Sequence, residues 1–410
     1  MDIGALGVYV VLFLALYFEV FLLISFFEKR PSLKTADRPA RFPSVSIIVP
    51  CFNEERTLAA TITSLLALDY PKEKLSIIVV DDGSRDGTAA IAARFAKKDS
   101  RIRAFTKENG GKWTALNFGI ERSEAELVGC LDADSFVASD ALLEVAKVFE
   151  RNHATMAVVP AMKVHRPRKP LELMQAVEYT FGIFYKKMFD NLAAISVLPG
   201  PFSLYRRDVF SHIGPFRHAH NTEDMEIAFR LHAYGHTIEN AHTAFVYTKV
   251  PSTLRSLLKQ RTRWSQGFLQ NSQDYSYMYF NPRFGYFGLL VLPFALAMFL
   301  GALYTFGFLV WKLAFSLFTS VSDLFATRIP LHAPSLDFNW VYLPTSMLVF
   351  LAVATAGMTL AAILIGRRMA GAEFGLGSLV SYFALYGFIA PLWLMRAAWG
   401  AALARESSWR

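Results

Sequence analysis

Hydrophobic and polar positions divide the chain into two kinds of segment. Residues 3–27 hold a single charge, Glu19, and residues 286–311, 341–366 and 375–395 hold none. Each stretch reaches the ~20 apolar residues that cross about 30 Å of hydrocarbon. The first lacks a basic start and a small-residue cleavage site, and its apolar run is too long for a secretory signal. It predicts a retained anchor. Between the first two stretches lies most of the charge, in a segment long enough for a buried core of its own.

Inside that charged segment two periodicities alternate. The run Val45-Ser46-Ile47-Ile48-Val49-Pro50 is β-branched, short and stopped by proline, which predicts a buried strand. Residues 54–68 recur near 3.6 and predict a helix; Leu75–Val80 predicts a second strand. Residues 86–98 predict a helix capped by Asp86 or Thr88. A strand over Arg101–Thr106, a helix over 112–122 and a strand over Glu126–Leu131 follow. Strand and helix alternating with short connections argue for a parallel sheet covered on both faces. Ligands of such sheets bind beyond the carboxyl ends of the strands. The acidic clusters at 81–82 and 132–134 both fall there.

Composition adds a membrane context. Hydrophobic residues make up 53% of the 410 positions and charged residues 19%. The net charge of +8 raises nucleic acid as a partner. Many basic residues cluster beside the apolar stretches, however, where anionic headgroups account for them. Membrane lipids are the expected partner, and nucleic acid is not. Lys29, Arg30, Lys34, Arg38 and Arg41 follow the first span and place the large domain in the cytosol; Arg367 and Arg368 agree. Arg396, Arg405 and Arg410 fit an outside tail poorly, so residues 375–400 are also open to a re-entrant path. The expected organisation is an anchor over 1–28, a cytosolic domain over 29–253, interfacial amphipathic helices over 254–283, about three spans within 284–400 and a tail over 401–410. Cys51 and Cys130 sit in apolar strand contexts and read as packed core thiols.

Candidate chemistry centres on carboxylates. Asp132 and Asp134 are two apart, so on a strand they project to one side. Two carboxylates ~5 Å apart repel by about 3 kcal/mol at an effective dielectric of roughly 20, and a divalent cation removes that penalty. Hard oxygen ligands suit Mg²⁺ or Mn²⁺, with substrate phosphates completing the shell. A turn that caps the next helix is the plainer reading of an Asp-x-Asp. Asp81 and Asp82 precede a Gly-Ser turn, and either satisfy that turn or accept hydrogen bonds from a base or ribose. Asp224, in Thr222-Glu223-Asp224, opens a helical pattern where the dipole favours a carboxylate; it is either a cap or a general base toward an acceptor hydroxyl. Gln260-Arg261-Thr262-Arg263-Trp264 lies on an amphipathic basic helix over Leu254–Gly267. That helix either rests among headgroups or offers Arg263 to a diphosphate and Trp264 to a sugar ring. No Gly-x-Gly-x-x-Gly follows the first strand, and Gly110-Gly111-Lys112-Trp113 is no P-loop.

Six motifs, VSIIVPCFNEE, VVDDGS, GGKWTALNFG, LDADS, TED and QRTRW, occur in order over about residues 44–270. Together they resemble those of the membrane-bound family 2 glycosyltransferases, the group that holds the cellulose, chitin, hyaluronan and poly-N-acetylglucosamine synthases. The resemblance implies an α/β GT-A domain with a mixed, mainly parallel sheet, joined to membrane helices, and an inverting transfer from a nucleotide-sugar. By the same resemblance Asp82 with Asp81 contacts the uridine of a UDP-sugar, Lys112 approaches the diphosphate, and Asp132 and Asp134 hold donor and metal. Asp224, beside Glu223, acts as base, while Gln260, Arg263 and Trp264 line the diphosphate and the acceptor end. The segment Leu198-Pro199-Gly200-Pro201-Phe202-Ser203 is closer to a chitin-synthase-like pattern than to the cellulose-synthase finger.

The expected activity is therefore elongation of a β-linked polysaccharide of N-acetylglucosamine or a related hexose at the cell membrane. A closed export channel needs a second copy of the chain or a partner protein. The alternative is a single transfer onto a lipid or polyprenyl phosphate, and a third class is a scaffold whose nucleotide site is a relic. The intact acidic set opposes the last. Glu19, mid-span, costs about 2.5–3.5 kcal/mol against lipid and is expected to face other spans or a polar passage.

Overall fold

The computed structural model describes residues 3–28, 38–327 and 346–403. Lys29, Arg30, Lys34, Arg405 and Arg410, on which part of the orientation argument rests, lie outside them. The chain divides into two compact units, Met1–Ile24 with Phe294–Ala362, and Ser25–Pro293 with Ile363–Arg410.

The second unit is built on an eight-stranded sheet. After the first helix, α1 (Ile3–Glu28), the chain runs through β1 (Val45–Cys51), α2 (Leu58–Leu66), β2 (Leu75–Asp81), α3 (Thr88–Lys98), β3 (Ile102–Thr106), α4 (Lys112–Glu121) and β4 (Leu127–Cys130). It continues as β5 (Ser135–Val137), α5 (Ala141–Arg151), β6 (Thr155–Val164), α6 (Pro170–Asn191), β7 (Leu204–Arg206), α7 (Val209–Ile213), α8 (Glu223–Ala233), β8 (Thr237–Thr248) and α9 (Leu254–Asp274). The strand order is β3-β2-β1-β4-β7-β6-β8-β5. β1 to β4 are mutually parallel, as the alternation predicts, with Cys51 opposite Asp81 at the shared carboxyl edge. The sheet as a whole is mixed: β7 runs antiparallel to β4 and β6, and β5 to β8.

Every residue of β1 is buried, and period two sends its side chains to two separate cores. Val45, Ile47 and Val49 pack with Leu58, Ile62 and Leu65 of α2, while Ile48 packs with Ile78, Val80 and Ala115 and Leu116 of α4. Each such side chain, fully buried, contributes roughly 1.5–3 kcal/mol. α4 lies so close to β1 that a Cβ at Gly119 would stand 2.6 Å from Ile48 Cγ2. Cys51 and Cys130 are free, buried thiols within these cores. The expected cap of α3 is displaced by one residue. Gly87 holds the N-cap position, yet Asp86 Oδ1 still accepts the Thr88 N–H at 3.0 Å, satisfying one of the donors a helix start leaves free.

Four helices are long and apolar enough to cross a membrane: α1, the stretch Phe287–Ala326 that includes α10 (Leu292–Thr327), α11 (Met347–Ala370) and α12 (Leu376–Ala402). In the first unit, Phe18 stacks on Phe294 with ring centroids 3.7 Å apart, and Tyr304 donates to the Gly4 carbonyl at 2.8 Å. Glu19 is buried there as expected, accepting the Thr359 hydroxyl at 2.6 Å. Outward apolar side chains such as Phe318 and Phe325, 69% and 79% exposed, have the character of a lipid-facing surface. In the second unit, Tyr382 of α12 joins Met174 and Val177 of α6 and Leu257 of α9 in a small core of their own.

Candidate active site

A cavity of about 640 Å³ opens beyond the carboxyl ends of β1, β2 and β4, closed over by residues of α6, α8 and α9. Asp82, Lys112, Asp132, Asp134, Glu223, Asp224, Gln260, Arg263 and Trp264 all line it. Of the residues singled out by sequence, Asp81 is not among the lining.

The two adjacent aspartates separate because a strand alternates its sides. Asp81 is the last residue of β2, buried, and its carboxylate takes the Ser84 hydroxyl and, at 3.2 Å, the Ser84 N–H. It organises the Asp-Gly-Ser turn. Asp82 faces the cavity and ties down the glycine loop before α4. Its Oδ1 accepts Lys107 Nζ at 2.7 Å and Gly110 N–H at 3.1 Å, and its Oδ2 accepts Gly111 N–H at 2.8 Å. Gly111 sits at φ +89°, backbone that a side chain rarely adopts. Asn109 closes the loop from its side, donating to the Asp82 carbonyl at 2.9 Å.

Asp132 and Asp134 lie just past β4 in a turn closed by the Ser135 N–H on the Asp132 carbonyl at 3.0 Å. This corrects the strand geometry expected for them: β4 ends at Cys130, and the turn, rather than strand alternation, brings both carboxylates into the cavity. Thr61 of α2 steadies it, its hydroxyl donating to the Ala133 carbonyl at 2.8 Å. Lys112 at the start of α4 meets Asp132 at 2.6 Å and Glu223 at 3.5 Å. Burial pulls the Lys112 ammonium down, but those two carboxylates outweigh it and hold it above its ordinary range. Burial, then Asp132 and Glu54, push the Asp134 carboxyl up to about 6. A Cβ at Gly200 would run into the Lys112–Asp132 pair, so the loop after α6 needs glycine there for contact.

Asp224 stands in the first turn of α8, as the helical pattern predicts. Burial and then Glu223 push its carboxyl up to about 6, against the pull of Lys112 and Arg263. No ion pair within 4 Å reaches it among the described residues. Arg263 donates to the Asn221 carbonyl at 2.6 Å, joining α9 to the segment that delivers Asp224. Gln260 Oε1 is buried without a hydrogen-bond partner among the described residues. Arg261, between them, points away. It pairs with Glu178 of α6 at 2.8 Å and lies over the Trp264 ring at 4.4 Å. α9 also runs on to Asp274, beyond the expected end at Gly267.

Sequence reasoning missed α6. Glu178, Tyr179, Gly182, Ile183 and Lys186 all line the cavity, at spacings that place them on one helical face. Burial draws the Lys186 ammonium down to about 8, opposed by Asp224. A cavity-facing stripe of mixed polarity carries no motif, and only the fold shows where it points.

Among the described residues no group of three or more His, Cys, Asp or Glu cages a metal. Two acidic side chains at one turn, one of them holding its proton the more tightly for the other's charge, are nevertheless a donor set that fits a hard divalent cation completed by ligand oxygens.

Residues 46–214 match the family described as glycosyl transferase family 2. A poly-beta-1,6-N-acetyl-D-glucosamine synthase of Staphylococcus epidermidis is 32% identical over 261 residues, 62% of this chain and 63% of the relative. One of Staphylococcus aureus is 32% identical over 241 residues, 58% of this chain and 57% of the relative. The chain thus spans about 63% of the length of the first of these curated relatives. Among solved structures, the mannosyltransferase PcManGT from Pyrobaculum calidifontis, in complex with GDP-Man and Mn2+, superposes with a TM-score of 0.64 at 20% identity, covering 98% of this chain and 99% of that one. At that identity the likeness speaks for the fold. Residues 46–214 thus carry the glycosyl transferase family 2 match, and the fold around them is GT-A.

Proposed function

We propose that this chain is an inverting glycosyltransferase that moves a hexosyl group from a UDP-sugar onto the end of a β-linked polysaccharide, processively, at the cytosolic face of the cell membrane. The observation that carries this reading is convergence. Asp82, the Asp132–Asp134 turn and Asp224 come from separate stretches of chain and line one cavity with Lys112 and Arg263. The names of the staphylococcal relatives support N-acetylglucosamine as the sugar. Residues 1–28 are the anchor of this enzyme, 29–253 its catalytic domain, 254–283 its interfacial segment and 284–400 its further spans.

Transfer uses the two ends of the cavity differently. Asp82 and the glycine loop hold the uridine. Lys112 and Arg263 set positive charge where the leaving diphosphate gathers negative charge, the kind of fixed stabilisation worth most in a buried site. Asp132 and Asp134 would hold Mg²⁺ or Mn²⁺, which neutralises diphosphate charge when bound. The Asp224 carboxylate takes the proton of the acceptor hydroxyl. The acceptor oxygen then bonds to the anomeric carbon from the face opposite the diphosphate. The bond from that carbon to the phosphate oxygen breaks, and its electron pair leaves with UDP. Gln260 and Trp264 position the acceptor end.

Membranes bearing the full chain, given labelled UDP-N-acetylglucosamine, are expected to yield a ladder of lengthening product. One added sugar per acceptor would place the enzyme among single-transfer lipid glycosyltransferases instead. Absence of incorporation from any UDP-sugar would overturn the reading.

A further inference from the structure

Gly182 is a glycine in the middle of a 22-residue helix. A helical glycine is usually kept for one of two reasons, a close neighbour that a methyl group would strike or a backbone angle that needs it. Gly182 has neither. A Cβ built on it meets no atom within 4 Å, and its φ is not in the left-handed region. Alanine would hold the helix better at no steric cost. What Gly182 does have is the cavity in front of it.

The walls of that open space have the chemistry of a sugar-ring subsite. One turn before it stand Glu178 and Tyr179, and one turn after it Lys186, with Ile183 beside it and Val197 also on the lining. Arg261 donates to Glu178 Oε2 at 2.8 Å, which fixes a carboxylate that lines the cavity. Carboxylate and ammonium address hydroxyls, while Tyr179 and Ile183 face the C–H surfaces of a ring. Lys186 lies within the field of Asp224, so this space adjoins the base. The loop at Asp82 and Gly111 belongs to the donor's nucleoside.

We propose that the gap at Gly182, between Glu178 and Lys186 of α6, is the subsite for the terminal sugar of the acceptor chain, and that the absence of a side chain there sets its room. The inference rests on the transferase reading above and adds the residue that admits the acceptor.

Two variants of the full chain test it: Gly182→Leu, which fills the gap, and Gly182→Ala, which fills it in part. With UDP-N-acetylglucosamine as donor and a β-linked N-acetylglucosamine tetramer as acceptor, Gly182→Leu should raise the tetramer KM by about tenfold or more. The Kd for UDP should stay within about twofold, since the nucleoside site is untouched. Gly182→Ala should raise the apparent Tm by about 1–2 °C while still raising the tetramer KM, a combination that a merely structural glycine would not give. An unchanged tetramer KM in Gly182→Leu overturns the proposal. So does UDP binding weakened in step with it, which would assign the space to the donor, or a Gly182→Ala protein that melts lower than wild type. A wild-type enzyme that adds sugar to no acceptor would sink the transferase reading itself, whatever Gly182 does.

Discussion

The two ends of the cavity hold their charges in different ways. At the proposed nucleoside end Asp82 is heavily partnered, with one ammonium and one backbone N–H on Oδ1 and a second N–H on Oδ2, which leaves one acceptor site on Oδ2 for a ligand, and nearby Lys112 is held between Asp132 and Glu223. At the acceptor end Asp224 and Lys186 are displaced from their ordinary pKa values by burial first, and neither has an ion-pair partner within 4 Å among the described residues. Heavily partnered charges fix geometry, because several hydrogen bonds hold each of them in place. Unsaturated ones retain the capacity to take or give a proton. On the proposed reading the first end is a grip for the nucleotide and the second a poised base, and each should fail in its own manner when altered.

The sharpest test of that contrast removes the base. Asp224→Asn keeps the shape and is expected to cut transfer by ~10²–10⁴-fold while UDP binding changes little; labelled-sugar incorporation and UDP titration read the two. Next in size is the pair behind the acceptor wall. Arg261→Met leaves Glu178, 20% exposed on the cavity wall, without its partner, which should lower the apparent Tm, and Trp264 loses the cation above its ring. Asp82→Ala works at the other end. It frees the Gly110–Gly111 loop and takes the carboxylate from Lys107, and loss of a charged hydrogen bond worth about 1.5–3 kcal/mol should weaken UDP by roughly 10–100-fold. If instead UDP held its affinity, the grip would not lie there.

Protonation gives a smaller and graded effect. In the proposed mechanism Asp224 acts only when deprotonated, and burial with Glu223 has raised its carboxyl to about 6. So kcat/KM should be level above that pH and fall about tenfold per unit below it. A profile flat down to pH 5 would contradict the assignment. Smallest of all, Cys130→Ala changes core packing alone and should leave transfer unaffected.

How much of this was legible in the chain depends on range. The strands β1 and β2 announce themselves by β-branched runs, and motifs sit at their ends. Position along a strand does not say which of two adjacent aspartates turns inward, so Asp81 and Asp82 read alike until Ser84 is seen folded back on the first. Asp132 and Asp134 were expected to share a strand face and share a turn instead, because pairing of β4 stops at Cys130. The antiparallel strands β5 and β7, three residues each, are too short for a periodic signal. The stripe on α6 is polar and apolar by turns, and its meaning comes only from the long-range packing that aims it at Asp224.

The most direct measurement is a structure of the full chain with UDP and Mn²⁺. The account predicts uridine against Asp82 and the glycine loop, and the diphosphate among Lys112, Arg263 and the Asp132–Asp134 turn. The space before Asp224 and Gly182 should stay open to the acceptor. A nucleotide bound elsewhere, or seated across Gly182 with its diphosphate far from that turn, would contradict it.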